Sequence, residues 1–263
     1  MLKKLLKYDL KWTYKLLTIF YVLAIVFSVL GRGFREIENS LIFNIIGQIC
    51  TDASIAMIVN VLINTLMRVW VRFIRNIYKD ESYLTHTLPV KKSTIYLSKI
   101  LSAIIAMFTS SIVIVACLLI SYYSKENIEW LKQSIEFMAN AYDSTVVSFM
   151  ATVGLTVFLE LLFALFAGYI GIILAYKSNN IKTAKSVIFG FIAYMVPSAF
   201  TLLGMFVMGL FNPEVMNLFN TVEALNVNAL KTVLHGGMTM YMCYIILYYF
   251  IGKKQFEKGI NVD

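Results

Sequence analysis

The sequence predicts an all-α, polytopic membrane protein: six transmembrane helices and an N-terminal amphipathic interfacial helix, in a single transmembrane domain over residues 1–263. Three observations predict it. The first is composition: 59% of the residues are apolar and 14% charged, against about 45–50% and about 25% in soluble domains. With a mean hydropathy of +0.75, the chain carries more apolar side chain than one soluble domain of this size buries. The second is six apolar windows, each close to the ~20 residues that cross the hydrocarbon core of a bilayer. The third is an uneven distribution of cations among the connecting segments. Together they exclude a soluble enzyme, a disordered chain and a disulfide-stapled secreted module.

The elements follow in order. Within residues 1–15, Leu2, Leu5, Leu6 and Leu10 follow helical spacing, continued by Leu17, while Lys3, Lys7, Lys11 and Lys15 form a row four apart. This is the pattern of a basic amphipathic helix at a membrane surface, and Trp12 and Tyr14 suit the interface. The spans are expected at about Leu16–Leu30, Cys50–Val71, Ile100–Tyr122, Val146–Ala175, Val187–Phe211 and Val233–Ile251. The runs are long and do not alternate with period 2, so they read as helices rather than barrel strands. Gly31-Arg32-Gly33 lacks a small-x-small cleavage pattern, so the first span is expected to remain uncleaved. Two outer segments, 124–145 and 212–231, are expected to be helical and to lie against the outer surface. In the first, Ile128, Leu131, Ile135, Met138 and Tyr142 keep helical spacing. In the second, Asn212-Pro213 leads into Val215, Leu218, Phe219 and Val222.

Orientation follows from Lys and Arg. The N-terminal segment, the connection between spans 2 and 3, the connection between spans 4 and 5 and the C-terminus hold 18 of the 23 cations, and the other three connections hold 5. Both termini are therefore expected in the cytoplasm. The net charge of +8 is then a consequence of topology: it attracts anionic membrane lipid and requires no nucleic acid.

Several polar residues fall inside the spans. Glu160 lies near the middle of span 4, where an unpaired carboxylate is costly. Ala164, Gly168, Gly171 and Ala175 share its face and permit close helix packing. It reads either as a translocation-path group or as a packing hydrogen-bond partner of a neighbouring helix. Asn60 and Asn64 in span 2 are likewise path candidates, with interhelical bonding as the default reading, and Asp52 reads as a cap at the outer helix end. Pro197, inside span 5, removes one backbone hydrogen bond and is a kink candidate.

The connection 76–93 is the most informative stretch. Asp80 or Ser82 is placed to cap a short helix, Pro89 stops it at Leu88, and Ser93 is placed to cap the next span. A short helix from Asp80 to Leu88, held crosswise between two spans, would present Tyr83, Leu84 and His86 among charges. That suits docking to a cytoplasmic partner; a plain connecting turn is the alternative.

The run Asp80-Glu81-Ser82-Tyr83-Leu84-Thr85-His86-Thr87-Leu88-Pro89 resembles the D-E-x-Y-L-T-x-T-L-P segment of ATP-binding-cassette (ABC) transporter permeases of the type-2 exporter class. The six spans, the amphipathic start and the internal termini are similar to that family as architecture. The resemblance implies the membrane subunit of an ABC exporter. Residues Asp80 to Pro89 would be the coupling helix that docks on an ABC ATPase subunit dimer, with Asp80 and Glu81 available to a basic rim. It further implies a second permease subunit, identical or related, and ATP and Mg²⁺ on the partner ATPase, with no cofactor in this chain. Location would be a bacterial cell membrane. The substrate would be an amphipathic peptide, a lipid-like molecule or a drug.

No catalytic residue is assigned. The sequence has no G-x-x-x-x-G-K-[ST], H-E-x-x-H or G-x-S-x-G, and its histidines are His86 and His235. Cys50, Cys117 and Cys243 lack metal or disulfide spacing, so no metal site is expected and the cysteines read as apolar filler. Two rivals from other classes remain, a non-transporting membrane scaffold or sensor and a secondary transporter. The latter usually shows internal repeats, and none is visible here.

Overall fold

The computed structural model describes residues 1–37, 40–122, 124–177, 181–212, 215–216 and 227–258. Its helices are α1 (Leu2–Arg35), α2 (Leu41–Ile77), α3 (Ser82–Thr87), α4 (Lys92–Tyr122), α5 (Lys125–Ala141), α6 (Val146–Ala175), α7 (Lys182–Phe211) and α8 (Val227–Glu257). No strand occurs among the described residues. Six helices, α1, α2, α4, α6, α7 and α8, are long and apolar enough to cross a membrane, which makes the chain a multi-pass helical membrane protein. The first outer segment is helical as expected, in α5. The second falls largely on residues 213–214 and 217–226, outside the described residues.

The spans are longer than their apolar windows. The expected amphipathic segment and first span are one unbroken helix of 34 residues, about 51 Å at ~1.5 Å per residue. The first proline of the chain is Pro89, so nothing in α1 breaks its backbone ladder. The four lysines of the N-terminal row are exposed, and the leucines beside them are half-buried. The fully buried stripe is a third one: Asp9, Thr13, Leu17, Ala24, Ser28 and Gly31.

The chain forms two compact units, Met1–Glu129 and the part from Trp130 onward. In the first, α1, α2 and α4 pack on one another and α3 packs on α2. Ala24, Ile58, Val61 and Cys117 form its apolar centre. Small residues let the helices approach: a Cβ on Gly31 would lie 2.7 Å from Thr51 Oγ1. Above and below this centre the three helices meet through polar layers, each built from one residue of each helix. One layer is Tyr21, Thr65 and Ser110, with hydroxyl separations of 2.6 and 2.7 Å. Another is Ser28, Ser54 and Ser121, at 2.6 and 3.2 Å. In an apolar solvent such bonds hold helices in register, at roughly 0.6 kcal/mol each.

In the second unit α6 packs against both α7 and α8. The predicted small-residue face of α6 makes the contact with α7: a Cβ on Gly171 would lie 2.3 Å from the Gly190 nitrogen. Only glycine permits that approach. Ala139 and Tyr142, at and after the end of α5, bury against Phe149 of α6. Burial pushes the Tyr142 phenol above its ordinary pKa. All three cysteines are free.

Candidate functional site

The segment 80–89 folds as expected in outline and differs in detail. The helix is shorter than the anticipated Asp80–Leu88. It begins after Glu81, with no side-chain cap, and ends at Thr87, because Leu88 takes an extended backbone before Pro89. Asp80 does not cap it; its carboxylate pairs with Arg75 at 3.2 Å. Ser93 does not cap the next span either, since α4 already begins at Lys92. Tyr83 is 76% exposed and Leu84 67%. Leu88, Thr87 and Pro89 are also exposed, while Ser82 and Thr85 are buried on the opposite face. His86 is half-buried and donates from Nε2 to the Ile77 carbonyl at 3.2 Å, so its ring faces α2 rather than a partner.

Glu81 is turned inward as well. Its two oxygens accept from Arg72 Nη1 at 2.9 and 2.7 Å, and Asn76 Nδ2 adds a bond at 2.9 Å. Of the two acids Asp80 is the more open to a partner, at 67% side-chain exposure against 38%, and Glu81 anchors α3 to the bundle. Arg72 also donates from Nε to Asp9 Oδ1 at 3.0 Å, and Lys99 Nζ reaches the same oxygen at 2.6 Å. Asp9, Arg72 and Lys99 form a third polar layer of α1, α2 and α4, here charged, at the α3 end. Asp9 and Lys99 side chains are 2% and 4% exposed. Asp9 offsets the two buried cations, and Glu81, 38% exposed, adds a second acid to Arg72 at the edge of the layer. Beside them the Arg68 guanidinium stacks on Trp12, 3.6 Å from the ring centroid, so Trp12 serves α1–α2 packing.

In the second unit Glu160 accepts a hydrogen bond from Tyr194 Oη of α7 at 3.3 Å. This is the neighbouring-helix bond that the packing alternative anticipates, yet the carboxylate stays exposed. One turn on, Phe163 is fully buried, and its ring lies 5.3–6.0 Å from those of Tyr194, Tyr241, Tyr244 and Tyr248. Pro197 is buried inside a continuous α7. It carries no N–H for the Ala193 carbonyl, and Tyr248 Oη of α8 donates to that carbonyl at 2.6 Å.

The span-2 polar residues are not gathered into a site. Asn60 and Asn64 donate back along their own helix, to the carbonyls of Ala56 and Asn60, both at 2.9 Å, rather than across to a neighbour. Asp52 is no cap, because α2 begins at Leu41; it accepts from Gln48 at 3.1 Å.

Asp9, Lys99, Tyr194 and the α8 tyrosines escaped the sequence reading. Two signals pointed to them. Asp9 is the only acid in the first 35 residues, set among five lysines. Tyr241, Tyr244 and Tyr248 repeat at helical spacing. Among the described residues no group of three or more His, Cys, Asp or Glu is placed to hold a metal ion. No family model, no curated protein and no solved structure matches the chain.

Proposed function

We propose that this chain is the membrane-spanning, non-hydrolytic subunit of an ATP-driven exporter. It would dock a separate ATPase through Asp80–Pro89 and pair with a second membrane subunit around the translocation path. The observation that supports this reading is the build of α3. It is a six-residue helix whose inner face is buried and whose outer face offers Tyr83 and Leu84, with Leu88 beside them. A connecting turn has no need of two large exposed apolar side chains on a helix tied down by a bidentate ion pair. A docking element does, because a few aromatic and aliphatic anchors carry most of an interface's energy.

The mechanism follows from the attachment. ATP-driven closure of the partner would push on α3. Glu81 passes that load to Arg72, and Arg72 and Asp9 pass it to α1 and, through Lys99, to α4. Three spans then move as one body, the rigid-element type of switching transition. With both termini and α3 on the cytoplasmic side, as the cation count favours, the ATPase meets this surface directly.

Co-purification of an ABC ATPase with the wild-type chain and with Tyr83→Ala/Leu84→Ala, at matched membrane levels, tests the reading. The double variant loses on the order of 2 kcal/mol or more of docking energy, read as reduced ATPase recovery and reduced coupled hydrolysis. Equal recovery and equal hydrolysis would remove α3 as the coupling site.

A further inference from the structure

We infer that Glu160, Tyr194 and Tyr241 form a binding site for a lipophilic organic cation, so that the exported substrate is cationic and amphiphilic. The substrate part rests on the exporter reading above; the site itself rests on the geometry of the second unit.

Glu160 lies midway along α6, at the depth of the hydrocarbon. Its one hydrogen bond among the described residues comes from Tyr194, and at 3.3 Å that bond is long. No Lys or Arg pairs with it among the described residues. A carboxylate at that depth demands a counter-charge or a proton, and the described residues of its own unit supply no counter-charge. Beside it lies an aromatic cluster. Tyr194 stacks on Phe163 with centroids 5.3 Å apart and Tyr241 lies 5.6 Å from the same ring. Tyr241 is within electrostatic reach of the Glu160 carboxylate. Phe163 fills the middle of the cluster and is fully buried. The open edge of the cluster is thus Glu160 with half-buried Tyr194 and Tyr241.

A carboxylate flanked by tyrosine rings selects its ligand by charge and by shape. The negative ring faces attract a cation and exclude water from it. An anion meets only repulsion. A hard divalent ion needs several oxygen ligands, and one carboxylate with one phenol does not supply them. An organic cation with its charge spread over apolar groups needs neither. Val157, one turn before Glu160 on α6, is a large exposed apolar side chain that would meet such groups.

The test uses the purified full chain in detergent, without any ATPase, and tetraphenylphosphonium as probe. Tetraphenylborate, the same shape with opposite charge, is the control. The wild type should bind the phosphonium saturably and the borate not at all. Glu160→Gln should weaken binding about tenfold or more, and Tyr241→Leu, which leaves the carboxylate in place, several-fold. Tyr194→Phe, which keeps the ring and removes the hydroxyl, should retain most of the affinity. Unfolding temperature and gel-filtration profile establish that each variant is folded. Absent phosphonium binding by the wild type, equal affinity in folded Glu160→Gln and Tyr241→Leu, or equal binding of the borate would overturn the site. Because no ATPase is present, failure here leaves α3 docking standing, and failed ATPase co-purification leaves this binding result standing.

Discussion

Arg72 Nε lies 3.0 Å from Asp9 Oδ1, joining residues 63 positions apart at a side-chain exposure of 11% and 2%. Lys99 meets the same carboxylate oxygen from a third helix. The first polar residue of α1's buried stripe therefore holds both cations of the charged layer, and removing it strands Lys99, while Arg72 keeps Glu81.

Asp9→Ala should destabilise the chain by about 3–5 kcal/mol, because it leaves Lys99 buried without its partner. Asp9→Leu combined with Lys99→Met should recover much of that loss, since replacing a buried pair by apolar groups is often near neutral. Arg72 keeps Glu81 in this double variant. Thermal and denaturant unfolding in detergent measure both. A double variant no better than Asp9→Ala alone would show that the charges do more than offset one another.

Tyr248→Phe should cost about 1–3 kcal/mol, the penalty for an acceptor orphaned within an apolar span, since the Ala193 carbonyl then loses its side-chain donor. In a Pro197→Ala background the backbone N–H of residue 197 can take that carbonyl, and the same substitution should cost far less. The four-way cycle of wild type, two single variants and the double variant isolates the coupling. Additive effects would count against it.

Gly171→Ala places a Cβ 2.3 Å from the Gly190 nitrogen and 2.5 Å from its Cα. Backbone cannot yield as a side chain does, so α6 and α7 must part. A loss of about 1–3 kcal/mol is expected, with Gly171→Leu failing to fold. Gly154→Ala is the control, because nothing lies within 4 Å of its Cβ position. Its unfolding temperature should stay near that of the wild type.

Topology is testable by single cysteines in intact cells, after the native three are removed. By the cation distribution, an impermeant thiol reagent should reach a cysteine at Glu129 and should not reach one at Lys91 or Lys254. Labelling at Lys91 would place α3 outside and end the docking proposal.

The sequence by itself determined the class and the helices. Apolar content cannot be hidden from water, and long unbroken apolar runs in a bilayer have to be helical, so the six spans were legible without contacts. So was the small-residue face that seats α7 on α6, because only residues without bulky side chains let backbones approach. Pro89 fixed where α3 ends for an equally local reason: proline restricts the residue before it. Tertiary structure alone decided which polar groups pair. Asp9 escaped notice in a basic helix, because nothing local says that a carboxylate at position 9 meets cations at 72 and 99. Glu81 read as open to a partner for the same reason, until Arg72 occupied it. Asn60 and Asn64 read as path candidates or as interhelical bonds, and their amides bond to their own backbone, since an amide side chain finds the carbonyl one turn away before it finds another helix. Tyr248 and Ala193 are the sharpest case. Proline announces in the sequence that a carbonyl loses its donor, and only packing shows which side chain replaces it, because hydrogen bonding across helices depends on where neighbouring chains lie in space.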